Sequence, residues 1–192
     1  MASHPKTLYT PDEYLALERS CEAKHEYHNG EIFAMGRASK WHVMIVTNLV
    51  VELGSQLKAG PCSVYSTDLR LRVAPTGLYT YPDVIVVSAE PRFSDDQEDT
   101  LLNPALIIEV LSESTKDYDR GEKFEQYRTI DSFVEYLLIA QDRPHVEHYI
   151  RQPDGSWLLH ETNNLEHSIQ LESVPCSLSL SEIYNRIEFP ST

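Results

Sequence analysis

The sequence predicts a mixed α/β (α+β) domain, in which a mixed β-sheet is flanked by helices and carries added β-hairpins. Two apolar stretches, residues 105–111 and 133–140, enclose a segment with helical spacing. A strand-helix-strand unit of this length normally forms a right-handed parallel crossover. Asn29-Gly30 and Pro153-Asp154-Gly155 are turn sequences typical of antiparallel hairpins. Parallel and antiparallel pairing together indicate a mixed sheet.

The first elements are a capped helix, a hairpin and a long helix. Thr10 can cap the first helix, Pro11 suits its first position, and Glu13 completes a capping box. The short extended pieces around Asn29-Gly30 predict the hairpin. From residue 39 to about 57, apolar side chains at helical spacing predict a helix with one buried face: Val46, Leu49, Val50, Leu53 and Leu57.

The central part of the chain predicts three strands and a further helix. Residues 68–73 alternate between apolar and polar, which indicates a strand with one wetter face that carries Asp68, Arg70 and Arg72. Residues 81–87 form the next strand, and the acidic, proline-containing residues 90–104 form a solvated loop. Residues 105–111 are apolar on both faces except at Glu109, as expected of a central strand covered on both sides. A helix follows, from about residue 115 or 119 to 128.

The C-terminal part is predicted to add a hairpin, a strand and a short helix. Residues 145–151 and 157–161 flank the second turn sequence, residues 169–171 follow as a strand, and Ser181 caps the last helix. We expect one domain, residues 1–192. Its parts are an N-terminal helix and hairpin (1–35), a core (36–142) and a C-terminal hairpin with a short helix (143–192).

Composition indicates a soluble, cytoplasmic protein. No apolar run approaches the roughly 18 residues needed to span a membrane, and the first residues have the layout of neither a secretory signal nor a transit peptide. Cys21, Cys62 and Cys176 are widely spaced and are read as ordinary thiols of a reducing compartment. The net charge of -14 argues against nucleic acid as a partner, although a bound divalent cation would add local positive charge.

Two carboxylates stand where the pattern calls for apolar residues. Glu109 lies inside the apolar stretch 105–111, and Asp83 lies at the start of the apolar strand 81–87. A buried carboxylate is costly unless it is paired or bound to a metal. Together with the carbonyl of Val110, these two side chains would supply the oxygen ligands that Mg²⁺ prefers, with Mn²⁺ as a substitute. The alternative is that Glu109 pairs with a basic side chain and Asp83 caps a turn.

These residues resemble a known superfamily. Pro82-Asp83, followed 26 residues later by Glu109-Val110-Leu111, resembles the PD-(D/E)XK nuclease superfamily, whose core is a mixed sheet flanked by helices. Nearly the whole chain resembles a bacterial restriction-endonuclease group within it, through EYLALE, KHEYHNGEI, YPDVIVV, NPALIIEVLSEST, DRGEKFEQY and EYLLI. The resemblance implies a restriction-endonuclease-like core, DNA as substrate and a homodimer.

One position departs from the superfamily pattern. The lysine expected two residues after the acid is Leu111 here, and Lys123 on the following helix is the candidate replacement. A flexible lysine could reach the same phosphate or water from there. Lys123 could instead be an exposed helix cation paired with Asp119 or Glu122. Gln126 and Tyr127 are further candidates for orienting the substrate, Tyr127 alternatively belonging to the core.

Three more polar residues are candidates near this site. His42, on the apolar face of the long helix, is either a proton carrier or outer ligand, or a hydrogen-bonded core histidine. Glu26 resembles an acidic residue that some relatives contribute early in the chain, or else it forms a surface pair. Asp68 could accept a hydrogen bond or extend the acidic cluster. His145 and His148, three apart on a predicted strand, should lie on opposite faces, which makes them poor zinc ligands.

The leading hypothesis is a Mg²⁺-dependent endonuclease that hydrolyses DNA phosphodiester bonds, with Asp83 and Glu109 at the metal and Lys123 assisting. The runner-up is a catalytically inactive nuclease fold that acts as a binding or assembly module, which Leu111 and the acidic charge both favour. A third account is a hydrolase of another phosphodiester that needs little basic surface.

Overall fold

The computed structural model describes residues 7–189 and contains three β-sheets with helices packed on them. The elements, in chain order, are α1 (Pro11–Glu18), β1 (His25–His28), β2 (Glu31–Ala34), α2 (Lys40–Leu57), β3 (Ser63–Ser66), β4 (Arg70–Val73), β5 (Leu78–Thr80), β6 (Val84–Val87), β7 (Thr100–Leu101), β8 (Leu106–Leu111), α3 (Lys116–Tyr118), a π-helical turn (Asp119–Lys123), α4 (Phe124–Tyr127), β9 (Glu135–Ala140), β10 (Val146–Arg151), β11 (Trp157–Thr162), β12 (Ser168–Gln170), β13 (Ser177–Ser179) and α5 (Leu180–Ile183). The first residues of the predicted domain, 1–6, and the last, 190–192, lie outside the described residues.

The largest sheet has six strands in the order β11-β10-β9-β8-β6-β3. β8 and β9 are parallel, whereas the neighbouring pairs are antiparallel. The predicted mixed sheet is therefore confirmed. Every residue of β8 and β9 is buried, as expected of central strands covered on both faces.

Two apolar layers cover this sheet. On one side α2 packs against alternate strand residues, with Leu49, Leu53 and Ile108 in the same cluster. On the other side the helical segment 116–127 covers Ile107 and Leu111. Because side chains alternate along a strand, Glu109 faces the same side as Leu111 and the helical segment.

The five-stranded sheet has the order β2-β1-β5-β4-β7 and packs beside the first. The β1–β2 hairpin turns at Asn29-Gly30, where both residues have positive φ (51° and 86°), as an Asn-Gly turn requires. α1 begins with the predicted capping box, since Thr10 and Glu13 bond to each other's backbone amides. Tyr81 to Asp83 carry the chain from β5 in this sheet to β6 in the larger one.

The prediction that Arg70 lies on the more solvent-exposed face of its strand is wrong. Arg70 is only 3% exposed, and its guanidinium donates to the hydroxyls of Thr100 and Tyr81 and pairs with Asp99. These partners come from elements that the alternation within residues 68–73 could not reveal.

Residues 90–104 are not entirely a solvated loop. Thr100 and Leu101 are fully buried and form β7, which pairs in parallel with β4. The acidic part of the loop is held by Arg19, which pairs with Asp95 and Asp99 at 2.7 Å. The strand β3, not predicted, occupies the edge of the larger sheet beside β6.

The C-terminal hairpin β10–β11 is confirmed, and β12 pairs with β13, a strand that was not predicted. The last helix begins after Ser179, not after Ser181, and its N-cap makes no side-chain hydrogen bond. His148 is buried beside Glu135, whereas His145 lies near Glu147 and Glu161, in agreement with opposite faces.

The three cysteines are free thiols. Within the described range, none of the helices is long and apolar enough to cross a membrane. The division of the chain into one domain with three parts stays a prediction.

Candidate active site

A cleft with a volume of about 700 Å³ lies beside the start of β6 and the end of β8. One wall is α2, and the opposite side is formed by the residues that follow β8. Asp83, Glu109, Lys123 and His42 all contribute to its lining. Four of the five predicted site side chains therefore meet in one depression, and the fifth, Glu26, contacts Lys123 from behind.

Asp83 is positioned by the crossing between the two sheets. Pro82-Asp83 comes directly before β6, whose partner strand is β8. One carboxylate oxygen accepts a hydrogen bond from the amide of Val110 at 2.8 Å, and the other lies 2.9 Å from Nε2 of His42. The alternative that Asp83 merely caps a turn is therefore not what the structure contains.

Glu109 lies deeper, at 3% exposure. Its Oε1 accepts from the hydroxyl of Tyr127 at 2.9 Å and from the amine of Lys123 at 3.2 Å, and its Oε2 accepts from the amide of Asp83 at 3.3 Å. Burial raises the pKa of Glu109 to about 8, the negative charges of Asp119 and Asp83 act in the same direction, and Lys123 opposes them. Glu109 is therefore buried beside two other negative charges, which favours the binding of a proton or a cation.

Lys123 is buried and is not the exposed helix cation of the alternative reading. Its amine lies 3.2 Å from Glu26, 3.2 Å from Glu109 and 3.3 Å from Asp119. Burial alone would lower the pKa of Lys123, but the three carboxylates outweigh it and raise the pKa well above its ordinary value. The ammonium is therefore charged at neutral pH.

Asp119 is the residue that sequence reasoning missed, since it was considered only as a partner for an exposed lysine. It is 3% exposed, lines the cleft and begins the π-helical turn that ends at Lys123. π-helical turns are rare and occur frequently at functional sites. Burial raises the pKa of Asp119, and the charge of Lys123 opposes the shift. The DRGEK sequence carries no signal for such a turn, because it also suits an ordinary helix.

Glu26 comes from the other sheet and is buried, so it does not form a surface pair. Its Oε1 accepts from the hydroxyl of Thr80 at 2.5 Å and contacts Lys123. β1 and β5 are neighbours in that sheet, which brings the two side chains together. Glu26 thus anchors the amine of Lys123 from the side away from the cleft.

The remaining candidates differ in whether they reach the cleft. His42 faces the cleft through its bond to Asp83, as an outer ligand would. Asp68 has a side chain that is 90% exposed and pairs with Lys24 at 3.0 Å, so it accepts a hydrogen bond but does not join the buried acids. Gln126 points toward His28, away from the cleft lining. Tyr127 belongs to the core and also donates to Glu109, so both readings of it hold.

Leu111 occupies the position where the superfamily has its lysine, and it is buried in the apolar cluster under the helical segment. Hydroxyl groups follow it at the cleft, where Ser112 lies 3.1 Å from Ser114 and 2.9 Å from Thr115. Lys24 and Arg37 add basic groups to the lining. The polar end of the cleft is therefore acidic at its base and hydroxyl-rich and basic at its edge.

The donor set fits a hard divalent cation. Four carboxylates, Glu26, Asp83, Glu109 and Asp119, meet two basic groups, Lys123 and His42, so full ionisation leaves at least two uncompensated negative charges. Carboxylate oxygens are the ligands that Mg²⁺ prefers. Among residues 7–189, no group of three or more His, Cys, Asp or Glu side chains is already arranged as a metal cage. Asp83 and Glu109 would have to exchange present hydrogen bonds for a cation.

A second cavity, of about 580 Å³, lies beside β10, β11 and β12 and is lined by His148, His160 and His167 among others. It contains none of the five predicted site residues. We take the first cleft as the candidate site because the buried charged groups converge there.

The mixed sheet, its flanking helices and the acidic cleft at the end of β8 define a restriction-endonuclease-like fold. The chain belongs to the Uma2 family, whose description is "Putative restriction endonuclease" and whose sequence model matches residues 11–182. It is 35% identical over 189 residues to uncharacterized protein slr1290 of Synechocystis sp., covering 97% of both chains. It is 40% identical over 154 residues to uncharacterized protein sll1609 of the same organism, covering 80% of this chain and 87% of the relative.

A solved structure has the same fold. The crystal structure of a putative nuclease belonging to DUF820 from Anabaena variabilis superposes with a TM-score of 0.72 at 20% identity, covering 94% of this chain and 98% of that one. The restriction-endonuclease-like fold class is thereby confirmed. The family and this fold together support a nuclease-like role.

Proposed function

We propose that the protein is a divalent-metal-dependent endonuclease that hydrolyses phosphodiester bonds of DNA in the cleft between α2 and the end of β8. The observation that carries the proposal is the contact of Lys123 with Glu109 at 3.2 Å. Lys123 thereby places a charged amine beside Glu109, which Leu111 on the strand cannot do.

Asp83 and Glu109, with the carbonyl of Val110, are the residues that would hold Mg²⁺, and Mn²⁺ could replace it. A bound divalent cation supplies charge neutralisation at the phosphate and makes a water molecule more acidic. His42 holds the Asp83 carboxylate in place through its 2.9 Å contact. Lys123 donates to a phosphate oxygen or to the attacking water, and Glu26 and Asp119 hold its amine in position.

The alternative is a nuclease fold that binds without cutting. Each oxygen of Asp83 and Glu109 already accepts a hydrogen bond from the protein, and the chain carries a net charge of -14. Both observations favour a module that has no need of a cation.

The two accounts differ in a cleavage assay. The purified protein is incubated with plasmid, single-stranded DNA and RNA in Mg²⁺ or Mn²⁺, beside Asp83→Asn and Glu109→Gln. The endonuclease account expects cleavage that needs the cation and falls at least a hundredfold in both variants. The exposed Glu161→Gln is the matched control and should cut like the wild type.

Binding of Mn²⁺, measured by isothermal titration calorimetry, tests the site apart from turnover. Wild-type protein should bind the ion, and Glu109→Gln should bind it at least tenfold more weakly. Cleavage that survives both substitutions would come from a contaminant. If the wild type also showed no Mn²⁺ binding at millimolar concentration, the endonuclease account would be rejected in favour of the binding module.

A further inference from the structure

α2 presents an apolar stripe to the cleft along the border of the face that packs on the sheet, since Val46 belongs to the buried core cluster and Val50 packs against it. Val43, Val46, Thr47, Val50 and Val51 recur at the i, i+3, i+4, i+7 and i+8 positions of one helix face, and all five line the cleft. Val43 is 53% exposed and Val51 is 60% exposed. The hydroxyl of Thr47 is already paired, since it donates to the carbonyl of Val43 at 2.8 Å. We call these five residues the valine stripe.

The valine stripe is continuous with the candidate active site. His42, which contacts Asp83, directly precedes Val43, the first member of the stripe. At about 1.5 Å per residue, the nine steps from His42 to Val51 span roughly 13 Å along the helix. A ligand with a phosphate at the carboxylates would therefore lay its neighbouring groups along the stripe.

We propose that the valine stripe binds the bases of unpaired nucleotides beside the bond to be cut, so that single-stranded nucleic acid is the preferred substrate. This inference rests on the proposed function, because it places the scissile phosphate at Asp83 and Glu109. Unpaired bases expose flat faces whose apolar surface can be buried against the valines, and such burial is favourable and non-directional. Arg37, on the same cleft, would face the sugar-phosphate backbone, whereas Lys24 is held by Asp68 at 3.0 Å.

A duplex fits this cleft poorly. Its bases are stacked inside, so it presents sugars and phosphates to the valines, which gain nothing from them. It also brings one negative charge per roughly 1.7 Å of axis to a chain whose net charge is -14. Single-stranded nucleic acid carries less negative charge than a duplex. Its unpaired bases also offer apolar surface that can cover the exposed valines.

A second copy of the chain is the less favoured occupant. A standard protein interface buries roughly 800 Å² per partner, and five β-branched side chains, one of them only 7% exposed, present far less. The stripe also leads to the polar groups of Asp83 and His42, which such an interface would have to remove from water.

The test is equilibrium binding by fluorescence anisotropy of a fluorescein-labelled 12-nucleotide DNA strand, alone and annealed to its complement. Ca²⁺, a hard cation with oxygen ligands, replaces Mg²⁺, and a denaturing gel verifies that the probe stays intact. We expect the single strand to bind at least tenfold more tightly than the duplex. Equal affinity, or tighter binding of the duplex, would overturn the inference.

The double variant Val43→Asn/Val51→Asn removes the exposed part of the stripe and costs little helix propensity. It should weaken single-strand binding at least fivefold and leave duplex binding within twofold of the wild type. The matched control is Leu159→Asn/Leu165→Asn, two leucines that are 41% and 40% exposed and line neither cavity. It should change neither affinity.

Two further outcomes separate the possibilities. A wild type that sediments as a dimer and a stripe variant that sediments as a monomer would overturn the inference in favour of a second copy. Single-strand binding that depends on the stripe in a protein that cuts nothing would support the inference and reject the proposed cleavage. Cleavage that the stripe variant leaves unchanged on every substrate would support the proposed cleavage and overturn the inference about the stripe.

Discussion

The amine of Lys123 lies 3.2 Å from Oε1 of Glu109, although the two residues are 14 positions apart and belong to different elements. The strand position two residues after Glu109 is Leu111, which packs into the apolar layer. A helix that crosses back over β8 brings the charged group to the acid instead.

Replacing Lys123 with methionine should destabilise the fold and abolish cleavage. The variant leaves Glu26, Glu109 and Asp119 without their shared cation, and breaking a buried ion pair typically costs about 3 kcal/mol. Urea denaturation measures the loss. Lys116→Met on the same helical segment removes only a surface pair with Glu113 and should cost less than about 0.5 kcal/mol. Equal costs in the two variants would contradict the buried network.

Tyr127→Phe should raise the pKa of Glu109 above about 8. The Tyr127 hydroxyl donates to Oε1 of Glu109 at 2.9 Å and thereby stabilises the ionised form. The pKa can be followed by carboxyl ¹³C NMR of metal-free protein labelled at glutamate. Tyr136→Phe is the matched control, because this equally buried hydroxyl donates to the carbonyl of Asp119 and not to Glu109. An unchanged pKa in Tyr127→Phe would speak against the bond.

Asp119→Asn should move the same pKa in the opposite direction. The charge of Asp119 disfavours ionisation of Glu109, so its removal lets Glu109 lose its proton at lower pH. The same NMR titration applies, with the exposed Asp117→Asn as control. A pKa of Glu109 that rises or stays constant in Asp119→Asn would show that the two acids do not interact.

Glu135→Gln should remove part of the acid sensitivity of the fold. Glu135 is fully buried and accepts from His148 at 2.6 Å, from the amides of Glu172 and Ser173 at 3.0 Å, and from the Ser173 hydroxyl. Burial works to raise the pKa of Glu135, but these hydrogen bonds outweigh it and hold the pKa below 4.5. The stabilisation is therefore present above that value and is lost as the pH falls through the folded-state pKa.

We expect Glu135→Gln to be about 2 kcal/mol less stable than the wild type at pH 7, as for lost hydrogen bonds to a charged group. The difference should shrink as the pH is lowered below 4.5, which urea denaturation at each pH measures. A difference that is constant with pH would mean that the ionisation of Glu135 plays no part. Glu161→Gln, exposed on β11, should show no comparable loss.

The sequence by itself determined the local elements and the two carboxylates. The capping box at Thr10 and the Asn-Gly turn follow from short-range patterns, because caps and turns each leave a signal within a few residues. The parallel pair β8–β9 follows from two apolar stretches joined by a segment with helical spacing. Asp83 and Glu109 were visible for the same reason, as charges inside apolar strands.

Only the tertiary structure decided which groups surround those carboxylates. The burial of Arg70, the division of the strands into two large sheets, the contact of Glu26 with Lys123 and the entry of Asp119 into the site all depend on contacts between distant segments. A charged residue has the same local pattern whether it is solvated or paired in the interior. Its partner, which sets the difference in free energy, is chosen by how the sheets and helices pack.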